Sequence, residues 1–95
     1  MNTYLTYCAQ AKMLHLIQES GGAIGMKLSF HRAGGVSIES VYNPREHGDI
    51  LISSTPKVTT DVFTACRLSK ASIDFDYKSQ DFIISRDPHV ISSTT

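Results

Sequence analysis

Apolar and polar positions along the chain change period several times, and each change marks an element. From Tyr7 to Ser20, Ala9, Met13, Leu16 and Ile17 recur at helical spacing and Leu14 widens the stripe. Lys12, His15, Gln18 and Glu19 fall mainly on the other face. Thr6 is placed to cap this helix, because its hydroxyl can accept from an orphan N–H of the first turn. Gly21-Gly22 is placed to end it, since glycine readily takes the left-handed conformation there. The period then becomes two. Met26, Leu28 and Phe30 alternate with Lys27, Ser29 and His31, and after Gly34-Gly35 the pattern resumes with Val36, Ile38 and Tyr42 against Ser37 and Glu39. This predicts two strands around a turn. Two adjacent glycines suit such a turn and leave the backbone open to close approach; the plain reading is a hairpin.

Asn43 to Asp49 reads as a loop that Asn43-Pro44 opens and Gly48 returns. Ile50, Leu51 and Ile52 form an apolar strand that ends by Pro56, and Lys57-Val58-Thr59 is a brief extended piece. A second, short helix runs from Asp61 to Ser69, capped by Thr60 or Asp61, with Val62, Phe63, Cys66 and Leu68 as its apolar side. Ile73, Phe75 and Tyr77 then alternate with Asp74 and Asp76, Lys78 to Asp81 turns, and Phe82 begins the return. The whole predicts one α+β domain over residues 1–95, ordered from about 4 to 90 with a frayed tail at 91–95. Its helices are expected at 7–20 and 61–69, and its strands at 26–32, 36–42, 49–53, 72–77 and 82–86. Phe30, Ile38, Ile50, Ile52, Phe75 and Ile84 are expected to be buried.

Composition narrows the partners. The 95 residues carry 19% charged side chains and a formal net charge of zero, so the chain lacks the basic excess with which proteins neutralise phosphates, and no nucleic-acid partner is expected. No apolar run reaches the ~20 residues that cross a bilayer, and Met1-Asn2-Thr3-Tyr4 does not resemble a signal peptide. No membrane association is expected, and the expected compartment is the cytoplasm. The two cysteines, Cys8 and Cys66, are too few for a disulfide scaffold or for an all-cysteine metal site within one chain.

Several small constellations invite chemistry. Glu46, His47 and Asp49 could serve a hard or borderline metal, but no second ligand pair sits at a recognisable spacing and a solvated turn is the plainer reading. Asp74 and Asp76 lie on one side of a strand, roughly 6.5–7 Å apart, where carboxylates can share acid–base work or merely form a wet face. His31, beside Arg32, could bind an anion or a metal or simply sit exposed on a strand. Cys66, on the apolar side of the second helix, reads as a buried small hydrophobe. Cys8 sits just inside a helix N-terminus, where the dipole favours a thiolate, and is the candidate reactive thiol. No nucleophile triad, phosphate loop or dinucleotide fingerprint is present.

The order of motifs carries one resemblance. A helix ending at a glycine pair is followed by a strand and by Arg32-Ala33-Gly34-Gly35-Val36-Ser37. Then come Thr60-Asp61, a short helical segment to Lys70, Ile73-Asp74-Phe75, and Phe82-Ile83-Ile84-Ser85-Arg86-Asp87-Pro88. From about Thr6 to Val90 this resembles the HesB-like, A-type iron–sulfur carrier domain. The resemblance implies a small α+β fold with mixed and antiparallel sheets on which both helices pack. It also implies ligand cysteines after the glycines and in a C-terminal Cys-Gly-Cys. The first of these positions is Val36 here, and the chain ends Ile91-Ser92-Ser93-Thr94-Thr95. Valine cannot coordinate iron, and hydroxyls are poor substitutes for thiolates. The resemblance therefore implies a non-enzymatic relative without a cluster cofactor, unless an oligomer builds a relocated site from Cys8 or Cys66. Such a relative would have an accessory role with a protein partner or as a homodimer, its contacts at the turn of Arg32, Gly34 and Gly35. The alternatives are an unrelated protein-binding module, or a metal-dependent enzyme built on Glu46, His47 and Asp49 or on Asp74 and Asp76.

Overall fold

The structure is a computed structural model and describes residues 3–31 and 35–86, together with the backbone but not the side chain of Arg86. The expected tail at 91–95, and Arg32 and Gly34 of the expected contact turn, lie outside the described residues. The fold is α+β, with two mixed sheets and two α-helices among the described residues.

Helix α1, Tyr7–Glu19, forms for the reasons its sequence implies: Thr6 accepts from the N–H of Ala9 at 3.1 Å, and Gly21 beyond the last turn has φ +82°. Ahead of it lies a two-residue strand, β1, Tyr4–Leu5, too short to leave an alternating signal. Strands β2, Gly25–Phe30, and β3, Val36–Val41, pair antiparallel, with His31 N–H donating to Gly35 C=O at 2.7 Å. Gly35 itself is not sterically required, since a Cβ there would meet open space.

The loop after β3 contains a short 3₁₀ turn, Pro44–Glu46, organised by a capping box between Asn43 and Glu46. Strand β4, Ile50–Ser54, then pairs antiparallel with β5, Lys57–Thr60, which itself joins β2 in parallel. This gives the sheet order β3-β2-β5-β4. Helix α2 is Val62–Arg67, and strands β6, Ala71–Asp76, and β7, Asp81–Arg86, form a hairpin to which β1 adds in parallel, for the order β1-β6-β7.

One core joins the sheets through α1. Met26, Leu28 and Val58 of the larger sheet, Leu5, Ala71 and Ile73 of the smaller, Ala9 and Met13 of α1, and Leu68 after α2 are buried in a single cluster. Phe75 is buried as expected, but Phe30, Ile38, Ile50, Ile52 and Ile84 are half-buried. Each sheet has one α1-covered face, so strand residues near the rims keep part of their surface in water. The register explains another departure: β3 ends at buried Val41, and Tyr42, expected on the apolar face, is exposed. Tyr77 likewise lies beyond β6 and is exposed, although its ring meets Phe75 edge-on at 4.9 Å.

The second helix turns the other way from its apolar count. It buries Thr64 and Ala65, with Leu68 just beyond its end, and leaves Val62, Phe63 and Cys66 exposed. Cys66 is thus not the buried hydrophobe that its neighbours suggested. The cause is polar docking. Asp61 caps the helix by accepting from Thr64 N–H at 2.7 Å, and the fully buried Thr64 hydroxyl accepts from Phe30 N–H at 2.9 Å. Beside it, buried Thr60 donates to Leu28 C=O at 2.9 Å. Where β5 stops, these side chains take over the hydrogen bonding of β2, and that fixes the rotation of α2.

Candidate functional site

The end of β2, the start of β3, α2 and β7 enclose an open groove of about 460 Å³, lined by Phe30, Gly35, Val36, Arg67, Leu68, Phe82 and Ile84. Its geometry follows from the elements beneath it. The β2–β3 pairing sets Phe30 opposite Val36. The hairpin of β6 and β7 presents Phe82 and Ile84 on alternate positions of one face. Thr64 holds α2 against Phe30, and Phe63 and Arg67, four apart on that helix, project beside it. Phe30 and Phe63 meet edge-on at 6.0 Å, and the Arg67 guanidinium lies 5.6 Å from the first ring centre and 5.2 Å from the second.

Among the described residues Arg67 is the only charged one lining the groove, and it is exposed. Among the described residues the only ion pair joins His15 and Glu19 at 3.1 Å, so the guanidinium is held by aromatic rings and not by a carboxylate. A groove of this kind accepts apolar side chains with a carboxylate beside them. Among the described residues it offers no thiolate, imidazole or carboxylate to a metal, and Val36 supplies apolar wall.

The other candidates are dispersed. The Glu46 carboxylate accepts from the N–H groups of Tyr42 and Asn43, each at 3.0 Å, and is committed to the 3₁₀ turn. His47 turns inward: its Nδ1 lies 3.4 Å from the Thr59 hydroxyl, and its Nε2 is buried without a hydrogen-bond partner among the described residues. Burial, then Lys57, push its pKa below the usual histidine value, with Glu46 opposing. Asp49 is exposed. Among the described residues no three His, Cys, Asp or Glu side chains gather as a metal site requires.

Asp74 and Asp76 are also occupied. Asp74 accepts from the Thr6 hydroxyl at 2.6 Å and from Phe75 N–H at 2.8 Å, and these bonds hold its carboxyl below the usual range. Asp76 accepts from Lys78 N–H and from the Ser79 hydroxyl and shapes the hairpin turn. Cys8 is exposed in the first turn of α1, beside exposed Tyr7, and His31 is exposed at the end of β2. Cys66 edges a separate shallow hollow with Ile50, Val62, Ala65 and Ser69.

The residues that sequence reasoning passed over are Thr64, Phe63, Arg67 and Phe82. An aromatic and an arginine spaced four apart on a predicted helix are a legible pair signal for the middle two. No pattern announces a threonine that docks a helix.

What the fold and groove define, among the described residues, is a small α+β domain with an apolar cleft and one arginine. No family model and no curated protein matches the chain. No helix among the described residues is long and apolar enough to cross a membrane.

Proposed function

We propose that this protein is a non-enzymatic, HesB-like domain of the iron–sulfur biogenesis type, working without a cluster as an accessory that binds a protein partner through the groove. The observation that carries this reading is Val36. The resemblance assigns that position to a metal-binding cysteine, and here it is a wall of an apolar cleft. The cleft holds Phe30, Phe82 and Ile84 with an arginine over aromatic rings, a composition typical of protein-contact surfaces. The partner's contacting segment is apolar with an acidic residue for Arg67. Two exposed free cysteines fit a reducing compartment, and we place the protein in the cytoplasm.

Two experiments bear on this reading. A photocrosslinking residue at position 36 should capture a discrete partner in the native host, one lost on Arg67→Glu, while the same residue at exposed Glu19 should not. Equal capture at both positions, or capture indifferent to Arg67→Glu, would place the contact elsewhere. Loading with iron and sulfide under nitrogen should leave no visible charge-transfer band after gel filtration. A retained brown species that Cys8→Ser or Cys66→Ser abolishes would mean a relocated cluster and would overturn the proposal.

A further inference from the structure

The two sheets end in edges of unequal kind. The edge strands are β1 and β7 of one sheet and β3 and β4 of the other. Strand β1 has two residues and leads directly into α1. Strand β4 is interrupted by a register shift between Leu51 and Ser53. Strand β3 carries exposed Glu39 in its middle. Each of these features discourages pairing with another chain. Strand β7, Asp-Phe-Ile-Ile-Ser-Arg, has none of them: it matches β6 residue for residue without a shift, contains no proline, and carries charge only at its ends.

Its outward backbone groups can be identified. The Ile73 carbonyl accepts from Thr6 N–H at 3.0 Å, so Ile73 directs its polar groups toward β1 and away from β7. In an antiparallel ladder opposed residues make the same choice, and the choice alternates along the strand. Ile84, opposite Ile73, and Phe82, opposite Phe75, therefore aim their N–H and C=O groups away from β6. Phe75 agrees: its N–H goes to the Asp74 carboxylate at 2.8 Å and not to β7. Among the described residues no strand lies on that edge.

We propose that β7 pairs antiparallel with β7 of a second copy, about a two-fold axis through Ile83. Such an axis stands perpendicular to the sheet and keeps each residue on its own face, so the residue at the axis must oppose itself. Centred on Ile83, the pairing sets Phe82 opposite Ile84 of the second copy, joining two residues whose polar groups face outward. Ile83, at 44% exposure, then covers its counterpart on the opposite face.

Three features favour a second copy over a foreign strand. Phe82-Ile83-Ile84 complements itself about its centre. Asp81 begins the strand and Arg86 ends it, so antiparallel pairing sets unlike ends of the two strands side by side, whereas parallel pairing would set like ends together. The chain's formal net charge is zero, so two copies approach without net repulsion. Because Phe82 and Ile84 also line the groove, the joined sheet carries both grooves on one face with a continuous apolar floor between them. The pairing rests on the open edge and does not depend on the partner reading.

Sedimentation velocity of the full chain, from about 1 mM down to about 1 µM, should show a reversible dimer. Ile83→Lys and Ile83→Glu should each weaken self-association at least about tenfold, because like charges meet at the axis. An equal mixture of the two variants should restore the dimer, a rescue that only a self-opposed residue can give. Ile84→Pro is the second disruption: the N–H it removes points outward, so the β6 ladder is kept while an edge donor is lost. It should be monomeric with an unchanged far-ultraviolet spectrum, and Arg67→Glu should remain dimeric. A wild-type monomer at every concentration would overturn the proposal. So would a dimer indifferent to both Ile83→Lys and Ile84→Pro, or a mixture that fails to reassociate.

Discussion

His47 illustrates how one residue can change role between sequence and structure. In the chain it lies among Glu46, Gly48 and Asp49, where a solvated turn or a metal ligand are both natural readings. In the fold its ring is half-buried, with Nε2 shielded and no partner there among the described residues, and Lys57 opposes a positive charge. Gly25 makes room for the ring, since a Cβ there would fall 2.8 Å from the His47 Cε1. The folded state therefore favours neutral imidazole. Its lowered pKa means that the unfolded chain binds the proton more readily. Stability from this site is then complete above the ordinary histidine value of about 6.5 and declines as pH falls below it, levelling once the folded state also protonates. Denaturation midpoints measured between about pH 8 and pH 5 should fall on acidification. His47→Gln should flatten that slope, and an unchanged slope in the variant would assign it to another group.

At the scale of elements, α2 is the instructive case. Its existence was legible from the Asp61 cap and its short apolar run, but its rotation was not. Counting apolar residues selects Val62, Phe63 and Cys66 as the inner side, whereas the docked side is Thr64, Ala65 and Leu68. The reason is that β2 extends past the end of β5 and leaves Phe30 N–H to be satisfied, which only a side chain from α2 does. Thr64→Val keeps the shape and removes the acceptor, so it should cost about 1–3 kcal/mol in equilibrium unfolding, the penalty for a buried polar group left unpaired. The Phe30 amide should also exchange with solvent faster. A loss under about 0.5 kcal/mol would mean that the amide finds another acceptor and that Thr64 does not set the helix. Because Arg67 and Phe63 are carried on the same helix, the groove's charge is placed by this one hydroxyl.

For the whole molecule, the central matter is that two sheets share one core. Met13 and Ala9 of α1 lie among residues from both, and Phe75 fastens the smaller sheet to that helix: its ring meets Phe82 of the same sheet at 4.9 Å, and the Lys12 ammonium of α1 lies 5.1 Å from its centre. Phe75→Ala should destabilise the protein by about 3–5 kcal/mol, the usual consequence of removing a buried phenylalanine. With one core the variant should still unfold in a single transition followed equally by circular dichroism and by amide exchange in either sheet. Separate transitions for the two sheets would show that α1 does not unite them.

The local elements were legible in the sequence, because they depend on period, caps and turns that neighbours in the chain decide. Thr6, Gly21 and Asp61 act where the pattern put them, and the main strands differ from expectation mostly at their ends. The sequence also located the buried phenylalanine of β6. Tertiary structure alone decided the pairing of β1 with β6, the half-exposure of Phe30 and Ile84, the inward turn of His47 and the outward turn of Cys66. Each of these depends on which face another element covers and on which backbone group is left without a partner, and both are set by residues tens of positions away. The groove is of this kind: Arg67 and Phe82 lie tens of positions from Phe30 and Val36 of the β2–β3 pair, and they meet because that pairing, a threonine and an edge strand bring four separate elements to one place.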